Sequence, residues 1–190
     1  MAKKYTNKEK HAKRDKTGLI ALSILIGLLF IFGLLVWKEI RPGVGTKISA
    51  VREDHVNEGD PVDSPSDPPT SGSHYGRSMP AGFYTENSPE YQSGDHDGYI
   101  IHSLEHGYIV FWYNCAVLDD QSCSDLLNRI KTTMDEFNQY KLIAFPRPSI
   151  TYPLVMTSWE HLQEFESYDE TLAKKFIRVN RPLSPEPNAP

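Results

Sequence analysis

Cysteine is scarce: the 190 residues contain two, Cys115 and Cys123. Their spacing is not Cys-x-x-Cys, which argues against a thioredoxin-like redox role, and no Cys-x-x-Cys-His run is present to attach haem. Also missing are a Gly-rich phosphate loop, a Gly-x-Ser-x-Gly nucleophile elbow and an internal repeat. Ser71 lies close to His74, but without the elbow it reads as a turn former. From residue 18 onward there is no excess of positive charge. The first 17 residues carry seven Lys and Arg against Glu9 and Asp15, a net +5, so a chain of net charge −5 leaves −10 for the remainder. An acidic body without a basic patch is a poor match for nucleic acid or anionic lipid.

One long apolar run is present. Residues 18–37 contain no charged side chain, and 20 residues at about 1.5 Å each span the ~30 Å hydrocarbon core, so a transmembrane helix is expected. The basic segment 1–17 should stay cytoplasmic and the carboxy-terminal part should face outward as a single-pass extracytoplasmic domain. The run is longer than the core of a signal peptide and no small-x-small cleavage site follows it, which favours a retained anchor. Outside the membrane a disulfide between Cys115 and Cys123 is the default expectation; it would close a loop of about nine residues and add about 2–3 kcal/mol. A soft copper site on the two sulfurs requires that they be reduced.

Between 38 and 97 Pro, Gly, Ser and Asp dominate and neither helical nor strand periodicity persists, so no helix is expected there. Residues 38–66 read as a tether, and the Pro68 to Tyr75 stretch as an extended piece that docks on the domain. Beyond it, 98–106 reads as a short helix with Asp95 or Asp97 as N-cap and Gly107 at C′, and Tyr108 to Tyr113 as a strand buried on both faces. Ser122 to Tyr140 reads as a long helix capped by Ser122 or Ser124, Lys141 to Phe145 and Leu154 to Trp159 as strands, and Glu170 to Val179 as a last helix. The order implies two parallel strands joined by a crossover, with an antiparallel strand added. The fold class is α+β, a small two-layer domain with a mixed sheet and packed helices. It should span residues 67–182, with a Pro-rich tail at 183–190.

The chemistry concentrates in His102-Ser-Leu-Glu105-His106. On a helix the two imidazoles share a face about 6 Å apart, within reach of one ion, whereas in a strand they would lie roughly 13 Å apart. His74, carried in by the docked arm, is the best third ligand. Three histidines suit copper or zinc, and a thioether from Met79 would tilt the choice to copper. Glu105 would orient an imidazole or serve as a fourth ligand, with His55 and His96 in reserve. The plainer alternative is a hydrogen-bonded polar cluster that fixes the arm, without metal.

Hydrolysis is a further reading, since His102-x-x-Glu105-His106 matches the inverted zinc-peptidase pattern; it would need a carboxylate such as Glu164, Glu166 or Glu170 as third ligand. A third class is interaction, with Tyr99, Tyr108, Trp112 and Tyr113 presented to a membrane protein complex, although Trp112 reads better as core.

Two motifs also carry a resemblance. Pro-Pro-Thr-Ser-Gly-Ser-His-Tyr at Pro68 to Tyr75 and Leu-Glu-His-Gly at Leu104 to Gly107 occur in order behind an apolar run, followed by Thr157-Ser158-Trp159. In these the chain resembles a family of bacterial membrane-anchored proteins with a domain of unknown function, over residues 50 to 187. Glu160-His161 departs from it, standing where that family usually has glycine and arginine. The resemblance implies placement and site residues, not an activity.

Overall fold

The computed structural model describes residues 18–33 and 42–190. The chain divides into two compact units, Met1–Pro42 and Gly43–Pro190. In the first, residues 18–33 form helix α1, whose apolar side chains are exposed. Among the described residues no helix is long and apolar enough to cross a membrane. The expected span continues into 34–37, which lie outside the described residues, as does the basic segment 1–17.

The second unit is built on a six-stranded mixed sheet. Its strands are β1 (Thr46–Lys47), β4 (Gly82–Phe83), β5 (Ile109–Tyr113), β6 (Leu142–Pro146), β7 (Leu154–Ser158) and β8 (His161–Phe165), in the order β1-β8-β7-β5-β6-β4. Strands β5 and β6 are parallel and joined through helix α4 (Asp120–Glu136), while β7 runs antiparallel to β5. A separate parallel pair, β2 (His55–Val56) and β3 (His74–Tyr75), lies outside this sheet. Helices α2 (Pro89–Gln92), α3 (Asp97–Glu105) and α5 (Glu170–Asn180) complete the unit.

Strand β5 decides the layering. Every residue from Ile109 to Tyr113 is buried, so alternate side chains need cover on opposite faces. Ile109, Phe111 and Tyr113 meet Leu126, Ile130 and Met134 of α4 and Ala173, Phe176 and Ile177 of α5. Val110 and Trp112 meet Ile100, Ile101 and Leu104 of α3, with Met79 and Tyr84 from the preceding arm. The sheet is therefore covered on both sides, and the expected two-layer arrangement gains a third layer because α3 and the arm occupy the face opposite α4 and α5.

Other boundaries move for local reasons. Helix α4 starts at Asp120 because the Asp119 carboxylate, not Ser122 or Ser124, accepts the Ser122 N–H as N-cap. Helix α3 follows His96 as N-cap without any side-chain cap, in place of Asp95 or Asp97. The stretch 38–66 is no tether throughout, since β1 and β2 belong to the second unit, which begins at Gly43. These strands pass unnoticed because two paired residues leave no period to read. One turn of helix, α2, appears in the segment expected to have none, nucleated by Pro89 at its first position. Strand β8 is partly exposed at the far side of a two-residue turn, with Glu160 in the left-handed region at φ 55°. That backbone conformation favours glycine, the residue expected there from the resemblance.

Trp112 and Tyr113 are core: the indole N–H donates to Thr157 Oγ1 (2.7 Å) and the phenol to the Tyr84 carbonyl (2.8 Å). Cys115 and Cys123 form a disulfide with Cα atoms 5.3 Å apart, so both sulfurs are committed and hold no copper.

Candidate metal centre

The arm that delivers His74 is unusual for a loop because it is dry. Thr70, Ser71, Ser73, His74 and Tyr75 are almost wholly buried. Buried polar groups must find partners, and most do so locally. Ser73 accepts from the Asp63 N–H through Oγ and donates its own N–H to the Asp63 carbonyl. The Thr70 carbonyl accepts from the Glu160 N–H, and Thr70 Oγ1 lies 3.0 Å from Ser66 Oγ. Gly72, at φ 136°, passes so close to this contact that a Cβ would fall 1.8 Å from the Asp63 carbonyl oxygen, which no side chain could tolerate.

Two anchors fix the arm on α3. Arg147 donates to both oxygens of Asp97 at the start of α3 (2.7 and 3.0 Å) and to Asp67 at the start of the arm (2.8 Å). Its pKa is raised, because these carboxylates outweigh the opposing pull of burial. At the other end the Tyr75 hydroxyl donates to Asp95 (2.5 Å), and its ring lies against Gly98, where a Cβ would come within 2.6 Å of it. Burial first and Asp95 second push the Tyr75 phenol up to about 12, so it remains a donor.

The β2–β3 ladder then sets His55 directly opposite His74, their rings 4.5 Å apart. Both lie 5.2 Å from the ring of His102. The tautomers follow from the partners. His74 Nδ1 lies 2.8 Å from the Gly72 carbonyl and His102 Nδ1 2.6 Å from the Tyr75 carbonyl; a carbonyl only accepts, so each Nδ1 carries hydrogen and, in the neutral ring, each Nε2 presents a lone pair. This backbone-fixed orientation is the one metal-ligating histidines adopt.

His74 Nε2 is the critical atom. It is buried without a hydrogen-bond partner, yet Glu105 Oε2 stands 3.1 Å away. The separation is short enough for a hydrogen bond, but a lone pair facing a carboxylate oxygen makes none; the contact repels unless a proton or a cation joins it. Donor atoms of His55, His74, His102 and Glu105 all lie within 4.8 Å of one another. Four donors at zinc bond lengths of about 2.0–2.1 Å stand about 3.3 Å apart in a tetrahedron, so the group closes on an ion by moving inward. His55, exposed on a two-residue strand, is the member with room to move. Burial lowers the His102 pKa, with His106 and His74 adding to the effect against the Tyr75 carbonyl and Glu105, and so keeps the ring in the neutral form a metal needs.

Of the residues singled out in the sequence, His74 and His102 enter this group and Glu105 joins them as a donor. His106 does not. Its ring lies 4.5 Å from that of His102, as one helical turn requires, but it falls in a second group with Glu105 and Glu186. The tail holds it there: Nδ1 is 3.2 Å from the main-chain oxygen of Pro190 and Nε2 3.5 Å from Glu186. Its expected place is taken by His55, which the sequence kept only in reserve, since a lone histidine in an acidic stretch signals nothing until the ladder pairs it with His74. Met79 packs in the apolar cluster of α3, its carbonyl accepting from Ser103. His96 stacks on Tyr91 and lies tilted against Phe145. Helix α3 ends as read, with Gly107 at φ 83°, its N–H bonded to the Leu104 carbonyl and the Tyr108 N–H to that of Ser103.

The inverted-peptidase reading is not supported by this geometry. Glu105 sits among the donors, while Glu170 is on α5, which packs on the opposite face of the sheet, and is bonded to Lys174.

Residues 55 to 190 match the model of a family described as protein of unknown function (DUF3105), a region that holds every member of both donor groups. No curated protein and no solved structure matches the chain.

Proposed function

The chain belongs to the DUF3105 family of proteins of unknown function, and from the geometry of its histidine cluster we propose that it binds a transition metal ion, zinc or copper(II), without catalysing a reaction. The observation that carries this reading is the buried, unpartnered His74 Nε2 facing Glu105, which a cation between them satisfies. Three borderline imidazoles and one hard carboxylate suit zinc(II) and copper(II), and the absence of sulfur from the set argues against copper(I). Four protein donors fill a tetrahedral shell, the pattern of a structural site; a catalytic zinc keeps one position for water.

The second part of the proposal concerns location. The uncharged run at 18–37 behind a segment of net charge +5 supports a single membrane anchor with the metal-binding unit outside the cell membrane, where an accessory role beside a membrane protein complex is open to it.

Metal analysis of the purified full-length chain tests the binding. After zinc loading and gel filtration the wild type should retain tightly held zinc, and His74→Ala and His102→Ala should each lose it while keeping their circular dichroism. A folded wild type that retains no zinc and no copper refutes the proposal and leaves a metal-free polar cluster.

A further inference from the structure

The two donor groups share one residue. Glu105 belongs with His55, His74 and His102 on one side and with His106 and Glu186 on the other. We propose that the centre is dinuclear: Glu105 bridges the tightly held ion to a second, exchangeable divalent cation bound by His106 and Glu186. This inference rests on the reading of the first site.

Three observations lead to it. First, His106 is oriented as His74 is, with Nδ1 against a main-chain oxygen, that of Pro190, and Nε2 aimed at a carboxylate, here Glu186 at 3.5 Å. Second, the tail segment that supplies Glu186 is docked on α3 by backbone, since the Glu186 N–H donates to the Glu105 carbonyl (3.0 Å) and Lys141 Nζ donates to the carbonyls of His106, Pro187 and Ala189. Lys141 thereby spends all three ammonium hydrogens on carbonyl oxygens, and among the described residues neither Glu105 nor Glu186 is paired with a lysine or arginine. Two carboxylates within 4.8 Å, neither of them hydrogen-bonded to that ammonium, form a site that a metal ion neutralises. Third, the unpartnered and wholly buried His74 Nε2 is directed at the shared carboxylate, so Glu105 is positioned to face a cation on that side as well.

The two positions differ in kind. The first has four protein donors, two of its histidines buried; the second has three, one of them the exposed Glu186, and keeps at least one coordination position for water. Carboxylate bridges hold such pairs about 3.5–4 Å apart. The second ion should therefore leave first when a chelator competes.

Zinc release from the loaded full-length chain to a chromophoric chelator reads this out. The expected course is two phases of one equivalent each. Glu186→Ala and His106→Ala should abolish the fast phase and leave the slow one, and Glu105→Ala should impair both. Glu186 is exposed, so its substitution leaves folding intact and makes that variant the decisive one. A single slow equivalent unchanged by Glu186→Ala overturns the bridged second site and leaves the first standing; no bound zinc at all overturns both.

Discussion

The two faces of the central sheet solve the same burial problem by different physics. Against α4 and α5 the sheet buries side chains such as Ile109, Phe111, Ile130, Met156, Phe176 and Ile177, and the Tyr168 hydroxyl finds Thr133 (2.5 Å). Against α3 and the arm it also buries apolar side chains, but above them lie Thr70, Ser71, Ser73, His74, His102 and Ser103. Apolar burial is nondirectional and tolerates any register that fills space, whereas a buried polar group costs free energy unless its partner stands in the right place. One face therefore supplies generic stability, and the other can be assembled in only one way.

The largest effect should come from the generic face and be blind to metal. Phe176→Ala removes a fully buried ring between α5 and the sheet and should cost about 3–5 kcal/mol, read as a lowered urea midpoint. The loss should be equal in zinc-loaded and chelated protein. Unequal losses would mean that the two faces are energetically coupled through the strands, and the comparison would fail.

A smaller but metal-sensitive effect is expected where the arm is clamped. The Arg147 side chain is 17% exposed and its partners more so, so the two ion pairs are partly screened, and Arg147→Ala should cost about 1–2 kcal/mol. Because Asp67 starts the arm that carries His74, the same variant should weaken zinc binding by about tenfold, a loss typical of residues that position a ligand from outside. Equal zinc affinity in wild type and Arg147→Ala would show that the β2–β3 ladder alone places His74.

The contrast also explains what could be read from the chain. Helices α4 and α5 and strands β5, β6 and β7 are legible because Leu126, Ile130 and Met134, or the run from Ile109 to Tyr113, repeat at the period of their element. The α3 site was half legible for the same reason: His102 and His106 share a helix face by spacing, and Gly107 ends that helix. What spacing could not show is which histidine joins His102. That depends on a two-residue ladder between His55 and His74, separated by 19 positions, and on a tail that draws His106 toward Glu186. Nonlocal pairings of this size leave no periodic trace. Motif resemblance located the arm because its residues are dictated by local crowding, as with Gly72 against Asp63, rather than by hydrophobicity.

The smallest effect should appear with pH, on the polar face and away from the metal. The His96 ring lies 4.7 Å from that of Phe145, with its Nδ1 buried and unpartnered. Burial holds its pKa below the ordinary 6.5, Arg147 acting in the same direction and Asp97 and Asp95 against it. As pH falls below about 6.5 the unfolded chain takes up a proton at this residue that the folded protein resists, so stability drops until the folded group also titrates. In His96→Phe an aromatic ring keeps the contacts with Tyr91 and Phe145 and nothing titrates. Urea midpoints of the zinc-free proteins should therefore diverge between pH 7.5 and pH 5, the variant losing less than the wild type. His102, lowered by burial in both proteins, cancels in the difference. Parallel curves would mean that His96 accepts a proton as readily in the folded state as in the unfolded chain, and that this part of the face is wetter than its packing indicates.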